Sequence, residues 1–308
     1  MSVCAMGELL IDFVSLESGV TVGEASGFQK APGGAPANVA VAVARLGHPS
    51  MFLGQVGDDP FGHFLADVLE AEGVDVSGLR FTDKARTMLA FVSLAEGGER
   101  SFSFYRNPSA NMLMTPADIA TEVIDRCDIF HYGSITMIDE PERSATLAAV
   151  EHARSKGLRI SYDPNLRLAL WPDAEAARAG LMRGFETAHI VKISDEELEF
   201  LTDDNDPRSL WRPQMQCLIV THGAGGSTLY TSDAQYHQPG FRVESVDTTG
   251  AGDAFVAGLL VRLLESSDQP DYESVLRFAN AVGALATTER GAIPALPNRE
   301  QAQALLTK

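Results

Sequence analysis

Short apolar runs alternate along the chain with stretches whose apolar positions recur at helical spacing. The runs Val3–Glu8, Met51–Val56, Ile129–Gly133, Leu158–Tyr162, Ile190–Ile193 and Leu218–Thr221 are short and apolar, and all but Leu158–Tyr162 are mostly apolar throughout, not at every second position. That pattern predicts strands buried on both faces, as in a parallel sheet. Between them, Ala37–Leu46, Phe61–Glu72, Glu142–Lys156 and Ala174–Glu186 predict helices, and Gly47, Gly73 and Gly157 stand where a left-handed residue caps a helix end. Strand and helix in alternation predict an α/β fold, a doubly wound three-layer α/β/α sandwich. No repeat or low-complexity linker interrupts it, Asp203–Pro213 reads as a polar loop, and residues 1–308 read as one domain.

One region departs from this pattern. Thr87–Leu94 and Arg100–Arg106 alternate apolar and polar positions and flank Glu96-Gly97-Gly98-Glu99, which predicts a hairpin. Phe13–Lys30, rich in Val, Ser and Gly, predicts a further extended piece. Together, residues 13–30 and 86–108 predict a small antiparallel sheet set apart from the main one. One of its faces has no helix to cover it, so a substrate, a partner subunit or both must do so. A lid that also clasps a homodimer is the expectation, with Phe102 and Phe104 on the contact face.

Composition excludes some partners and suggests a compartment. With 24 Lys and Arg against 42 Asp and Glu, the net charge of −18 repels nucleic acid and anionic membrane surfaces. It leaves room for a small anion in a local pocket. Cys4, Cys127 and Cys217 are widely spaced in apolar runs that read as strands, with no CxxC, which predicts reduced core thiols and a cytoplasmic location. The N-terminus lacks a basic flank and carries Glu8 and Asp12, and Arg262 interrupts the most apolar stretch. Neither a secretory leader nor a membrane span is expected.

The strongest local chemistry lies in Asp247-Thr248-Thr249-Gly250-Ala251-Gly252-Asp253, which runs into the apolar helix Val256–Leu264. A glycine-rich turn opening a helix exposes N–H groups with no helical partner, and the helix dipole adds partial positive charge. Such a turn is an anion hole without any cationic side chain. Asp253 then has two readings: it complements the dipole, or it takes a proton from a hydroxyl nucleophile beside a phosphate. No Gly-Lys-Ser/Thr follows, so this is not a Walker A loop. A second glycine pair, Gly33-Gly34-Ala35-Pro36-Ala37-Asn38, opens another helix. It is either a tight turn with an early proline or bare backbone against a polyhydroxylated ligand, with Asn38 offering its amide. Asp12, after the first strand, faces the same ligand or solvent.

These two motifs resemble the paired signatures of the ribokinase-like (PfkB) sugar kinases, and the resemblance runs from about Gly7 to Pro297. It implies a ribokinase-like sandwich with a β-sheet lid that closes over a small sugar, and ATP as phosphate donor. It implies Asp253 as catalytic base, anion-hole amides from Gly250, Ala251 and Gly252, and sugar contacts from Asp12, Gly33, Gly34 and Asn38. Asp163-Pro164-Asn165-Leu166-Arg167 follows a strand, at the edge where ligands gather in open α/β sheets, and the resemblance puts Arg167 on the phosphate path.

Lys192-Ile193-Ser194-Asp195-Glu196-Glu197 resembles the family's Asn-x-x-Glu element, which orders magnesium and nucleotide, with Ser194 where Asn is common. Ser194 and Glu197 also read as a capping box. Thr221-His222-Gly223-Ala224-Gly225-Gly226 resembles the family's nucleotide turn; the strand-like Ser227–Thr231 after it does not fit a dinucleotide fingerprint. The resemblance further implies Asn280 and Gly283 at the adenine. It implies magnesium carried in with ATP, and a monovalent cation such as potassium held mostly by backbone oxygens at Asp247, Thr249 and Gly291. The seven histidines show no metal-ligand spacing.

Arg100-Ser101-Phe102-Ser103-Phe104-Tyr105-Arg106-Asn107-Pro108-Ser109-Ala110-Asn111 resembles the lid segment of the family's fructokinases. That implies fructose as the sugar and Arg106 as its ligand from the hairpin. Asn111 stands where those enzymes commonly carry Asp, so a carboxylate is lost there and an amide remains. A kinase for 2-keto-3-deoxygluconate, ribose or a riboside is the alternative within the class. A catalytically silent sugar-binding regulator is the alternative outside it, against which the intact Asp253 and Gly-Ala-Gly turn speak. A nicotinamide dehydrogenase would need G-x-G-x-x-G after the first strand, which the chain lacks.

Overall fold

The computed structural model describes residues 1–94, 100–266 and 269–307, so the expected hairpin turn Glu96–Glu99 lies outside the described residues. The chain opens with β1 (Val3–Met6), β2 (Leu10–Ser18) and β3 (Phe28–Gly33), and α1 (Ala35–Arg45) returns it to β4 (Ser50–Gly57). Then come α2 (Pro60–Ala71), β5 (Val74–Thr82), β6 (Met88–Leu94) and β7 (Arg100–Tyr105). The short α3 (Thr121–Ile124) precedes β8 (Ile129–Gly133), α4 (Glu142–Ser155), β9 (Arg159–Asp163) and α5 (Ala174–Phe185). β10 (Ile190–Ser194), α6 (Asp195–Leu201), β11 (Cys217–Thr221), β12 (Ser227–Tyr230) and β13 (Gln235–Gln238) follow. Three helices end the chain: α7 (Ala251–Glu265), α8 (Tyr272–Ala286) and α9 (Arg299–Leu306).

The main sheet runs β13-β12-β11-β10-β9-β8-β1-β4-β5, parallel from β11 to β5 and antiparallel at β12 and β13. Its strands read as apolar because both faces are covered. Val3 and Ala5 of β1 share a core with Val39 of α1, Leu259 of α7 and Leu276 of α8. Their neighbours Cys4 and Met6 point the other way, into a second core with Ala149 of α4 and Leu181 of α5. The predicted three-layer sandwich is therefore observed. Gly47, Gly73 and Gly157 adopt φ of 89°, 81° and 75°, the left-handed caps their positions predict.

The small sheet is present, in the order β3-β2-β6-β7. The expectation of a purely antiparallel sheet is corrected at its centre, where β2 and β6 run parallel. Both strands follow parallel strands of the main sheet, β1 and β5, and carry that shared direction into the lid. The expected contact face is also corrected. Phe104 packs with Leu10, Met88 and Ala90 on the face turned to the cavity, and the Phe102 side chain lies outside the described residues. The other face carries aromatic rings: Phe13 stacks on Phe91 at 5.1 Å, and Phe28 and Tyr105 meet Phe91 edge-on.

All three cysteines are free and buried, but Cys127 precedes β8 and is not part of a strand. Among the described residues no helix is long and apolar enough to cross a membrane.

Candidate active site

Two helix starts meet at the C-terminal edge of the main sheet. Gly250, at φ 77°, caps α7 in a left-handed conformation, and its missing side chain lets Ala292 approach. Gly34, at φ 113°, caps α1; a Cβ there would overlap the Glu8 carbonyl oxygen, so this turn requires glycine. Packing of α1 on α7 brings Asn38 to Asp253, and the Asn38 amide nitrogen donates to Asp253 Oδ2 at 2.8 Å. The Asn38 carbonyl oxygen is buried with no partner among the described residues, which leaves it to accept a ligand's hydroxyl.

Gly34, Asn38, Gly250 and Asp253 line a cavity of about 190 Å³ together with Glu8, Leu10, Asp12, Phe104, Ile135, Asp163, Arg167 and Lys192. Asp253 is 8% exposed. Burial and the nearby Asp163 raise its pKa to about 6, against the Asn38 hydrogen bond and the charges of Lys192 and Arg167. The Lys192 amine lies 3.2 Å from Asp163 Oδ2. Burial works against its charge, but Asp163, Glu197 and Asp253 hold its pKa above the usual lysine range. The site thus combines a carboxylate that changes charge near neutrality with a fixed cation.

The anion hole is narrower than expected. The Ala251 N–H turns back to the Thr248 carbonyl at 3.3 Å, which leaves Gly250 and Gly252 as its freer neighbours in the predicted trio. Gly33, at the end of β3, is not among the residues lining the cavity; a Cβ there would overlap the carboxylate of Asp12, which does line it.

Beyond the cavity, Glu197 forms the capping box with Ser194 and accepts from the backbone N–H of Leu166 at 2.7 Å and of Ser194 at 2.8 Å. Burial raises its pKa, against the pull of Lys192. Thr221, Gly223, Gly225 and Gly226 form the turn after β11, with Gly226 at φ 101°. Asn280 braces that turn: its carbonyl accepts from Ser227 at 2.9 Å and its nitrogen donates to the backbone of Gln238 and Pro239. Gly283 lets α8 approach α7, since a Cβ there would stand 3.2 Å from the Ala251 carbonyl oxygen. Asp247 gathers the third predicted cluster, accepting from Thr249 through one carboxylate oxygen and from the Gly291 N–H at 2.9 Å through the other.

Arg106 is not among the residues lining the cavity. It lies two positions beyond Phe104 and pairs with Asp139 at 3.3 Å. Sequence reasoning passed over Glu8, a buried acid on the cavity wall whose pKa burial raises to about 7. A charged residue ending an apolar strand was its signal. It also passed over Glu142, buried beside Asn111, which reads in sequence as an ordinary acidic first turn.

A buried carboxylate beside helix-start amides, in a polar cavity next to a small second sheet, is an arrangement suited to phosphoryl transfer onto a hydroxyl. Comparison narrows the class. The profile of the pfkB family carbohydrate kinases matches residues 1–299. The chain is 51% identical over 315 residues to Fructokinase-2 of Oryza sativa subsp. japonica, covering 99% of this chain and 94% of that one. The structure of fructokinase with bound ATP from Xylella fastidiosa superposes with a TM-score of 0.91 at 39% identity, covering 99% and 98% of the two chains. A fructokinase double mutant from Vibrio cholerae O395, solved with fructose, ADP and potassium ion, gives 0.88 at 39% identity and the same coverage. The chain belongs to the pfkB family of carbohydrate kinases.

Proposed function

We propose that this chain is a fructokinase, transferring the γ-phosphoryl group of ATP to the 6-hydroxyl of D-fructose. The observation that carries the reading is Asp253, buried in the cavity with Asn38 at 2.8 Å and a pKa of about 6. Ionised at neutral pH, Asp253 takes the proton of the sugar hydroxyl as that oxygen attacks the γ-phosphorus. The P–O bond to the leaving ADP breaks, and the proton rests on the Asp253 carboxylate. Gly250 and Gly252 receive charge on the transferred group at the start of α7, and Lys192, whose amine lies beside Gly252, offsets it together with Arg167. Asp12, Gly33, Gly34 and Asn38 hold the sugar, with Arg106 closing on it from the lid.

Thr221, Gly223, Gly225 and Gly226 form the nucleotide turn, supported by Asn280 and Gly283. Magnesium bound with ATP would neutralise its phosphate oxygens; Glu197 and Lys192 are the groups beside that path, and both side chains are already oriented by the protein. Both carboxylate oxygens of Asp247 accept from Thr249 and Gly291, so a potassium ion held there would rely on backbone carbonyls. A homodimer through the lid and a cytoplasmic location complete the reading. The first is supported by the aromatic outer face with Tyr105 63% exposed, the second by the free buried cysteines.

The test is ADP release from MgATP across fructose, glucose, ribose, 2-keto-3-deoxygluconate and ribosides. Fructose should give the highest kcat/KM, since a site matched to one set of hydroxyls leaves its buried polar groups unpaired with another. A higher value for 2-keto-3-deoxygluconate or a riboside removes fructose and leaves the kinase.

A further inference from the structure

Glu142 opens α4 and is 2% exposed. The Asn111 nitrogen donates to its Oε1 at 2.9 Å, and the Ser109 hydroxyl donates to the Asn111 oxygen at 2.6 Å. In this arrangement Glu142 is the acceptor at the end of the chain of donors. Among the described residues, Glu142 Oε2 is buried with no hydrogen-bond partner, and so is Arg106 Nε. The ion-pair partner that Arg106 does have, Asp139, is half-exposed. A buried carboxyl oxygen and a buried guanidinium N–H, each unpaired, both lack the hydrogen bond that burial demands, and each can supply what the other lacks.

We propose that Glu142 is a positioning residue of the sugar site, setting the lid arginine Arg106 with a carboxylate that this chain carries on α4 instead of at position 111. The inference rests on the reading that Arg106 binds the sugar. Asn111 stands where the fructokinase lid pattern has Asp, and the acid is not lost from the site: it has moved across the Asn111 hydrogen bond to α4. As the lid closes, Arg106 exchanges the rim carboxylate of Asp139 for the buried one of Glu142, and its remaining N–H groups face the sugar.

The charges around Glu142 give the sign of a pH effect. Burial raises its pKa to about 8; the Asn111 bond and Arg106 favour its ionised form, while Glu8 and Asp139 oppose it. Raising the pH through about 8 therefore charges Glu142, strengthens its hold on Arg106 and lowers the KM for sugar.

The experiment measures KM for fructose and for ATP against pH in wild type, Glu142→Gln, Arg106→Ala, the double variant of these two, and the swap Asn111→Asp/Glu142→Gln. Glu142→Gln should raise the sugar KM about ten-fold at alkaline pH, the scale of one charge-assisted hydrogen bond, and flatten its pH dependence. The ATP KM should move little. Adding Glu142→Gln to Arg106→Ala should have no further effect on sugar KM, because the first acts through the second. The swap returns the carboxylate to position 111, with the new glutamine amide on α4 as its donor, and should recover most of the sugar affinity. A merely structural role for Glu142 does not explain such a recovery.

The proposal is overturned if Arg106→Ala raises the sugar KM while Glu142→Gln does not, or if the swap stays as weak as Glu142→Gln. A wild-type sugar KM that is flat through about pH 8 overturns it without any variant. If Arg106→Ala leaves the sugar KM unchanged, the underlying reading of Arg106 fails instead.

Discussion

Replacing Glu8 with Gln should stabilise the protein at alkaline pH and leave its stability unchanged in acid. Glu8 is 2% exposed on the cavity wall, where its Oε1 accepts from the Ala35 N–H at 3.0 Å. Burial raises its pKa from the ordinary 4.5 to about 7; the Ala35 bond and Arg167 pull the other way, and Asp253 adds to the rise. Each tenfold change in proton affinity is about 1.4 kcal/mol, so ionised Glu8 costs the folded state about 3 kcal/mol relative to the unfolded chain.

Below about pH 4 both states carry the neutral acid and nothing is lost. Between the ordinary value and about 7 only the unfolded chain ionises, so stability falls as pH rises, and above about 7 the full penalty persists. Glutamine keeps an oxygen for Ala35, and the value of about 7 already includes that hydrogen bond, so the whole penalty is relieved. A gain of about 3 kcal/mol should move the urea midpoint of Glu8→Gln upward by close to 1 M at about pH 8, and by almost nothing at about pH 4. Urea titrations of both proteins at the two pH values measure it. A variant less stable than wild type at the alkaline value, or an equal gain at both, would refute the burial argument.

The Asp253 carboxylate must be ionised to accept a proton, so kcat at saturating sugar and MgATP should rise with pH through about 6 and then level; a kcat flat down to about pH 5 would remove Asp253 from the chemistry. Gly34→Ala places a Cβ against the Glu8 carbonyl at φ 113°, and should cost more than about 2 kcal/mol in a denaturant titration while weakening sugar binding. Light scattering at micromolar concentration should give a dimer mass, and Tyr105→Glu on the exposed lid face should lower it to the monomer. A fully active monomer would remove the clasp and leave the lid.

The parts of the fold that were legible are those fixed by short-range chemistry. β1, β8 and β11 announce themselves as apolar runs because helices cover both of their faces. β5 does not: Val74-Asp75-Val76-Ser77-Gly78-Leu79 alternates, since it ends the sheet and needs to bury only part of itself. β13, Gln235–Gln238, is polar at the opposite edge for the same reason.

At the candidate site, glycine turns and the residues just inside helix starts were readable, because backbone geometry restricts what can stand there. Gly34, Gly250, Asn38 and Asp253 are of this kind. Positions whose meaning depends on a distant partner were not readable. Glu142 resembles any acidic first turn until Asn111, 31 residues earlier, is laid against it. The brace that Asn280 makes with Ser227 and the Gln238 and Pro239 carbonyls is likewise visible only once the turn and α8 are laid together.

The most direct test of the site as a phosphoryl-transfer centre is the turnover of Asp253→Asn measured beside its calorimetric binding of fructose and a non-hydrolysable ATP analogue. Asparagine keeps the shape of the side chain, and the helix-start amides are backbone, so both ligands should still bind. The base is gone, so kcat should fall by roughly 10²–10⁴. If Asp253 served only to complement the α7 dipole, the change would cost about 0.3–1 kcal/mol of stability and little rate. A variant that binds both ligands and keeps more than about a tenth of wild-type turnover would contradict the assignment.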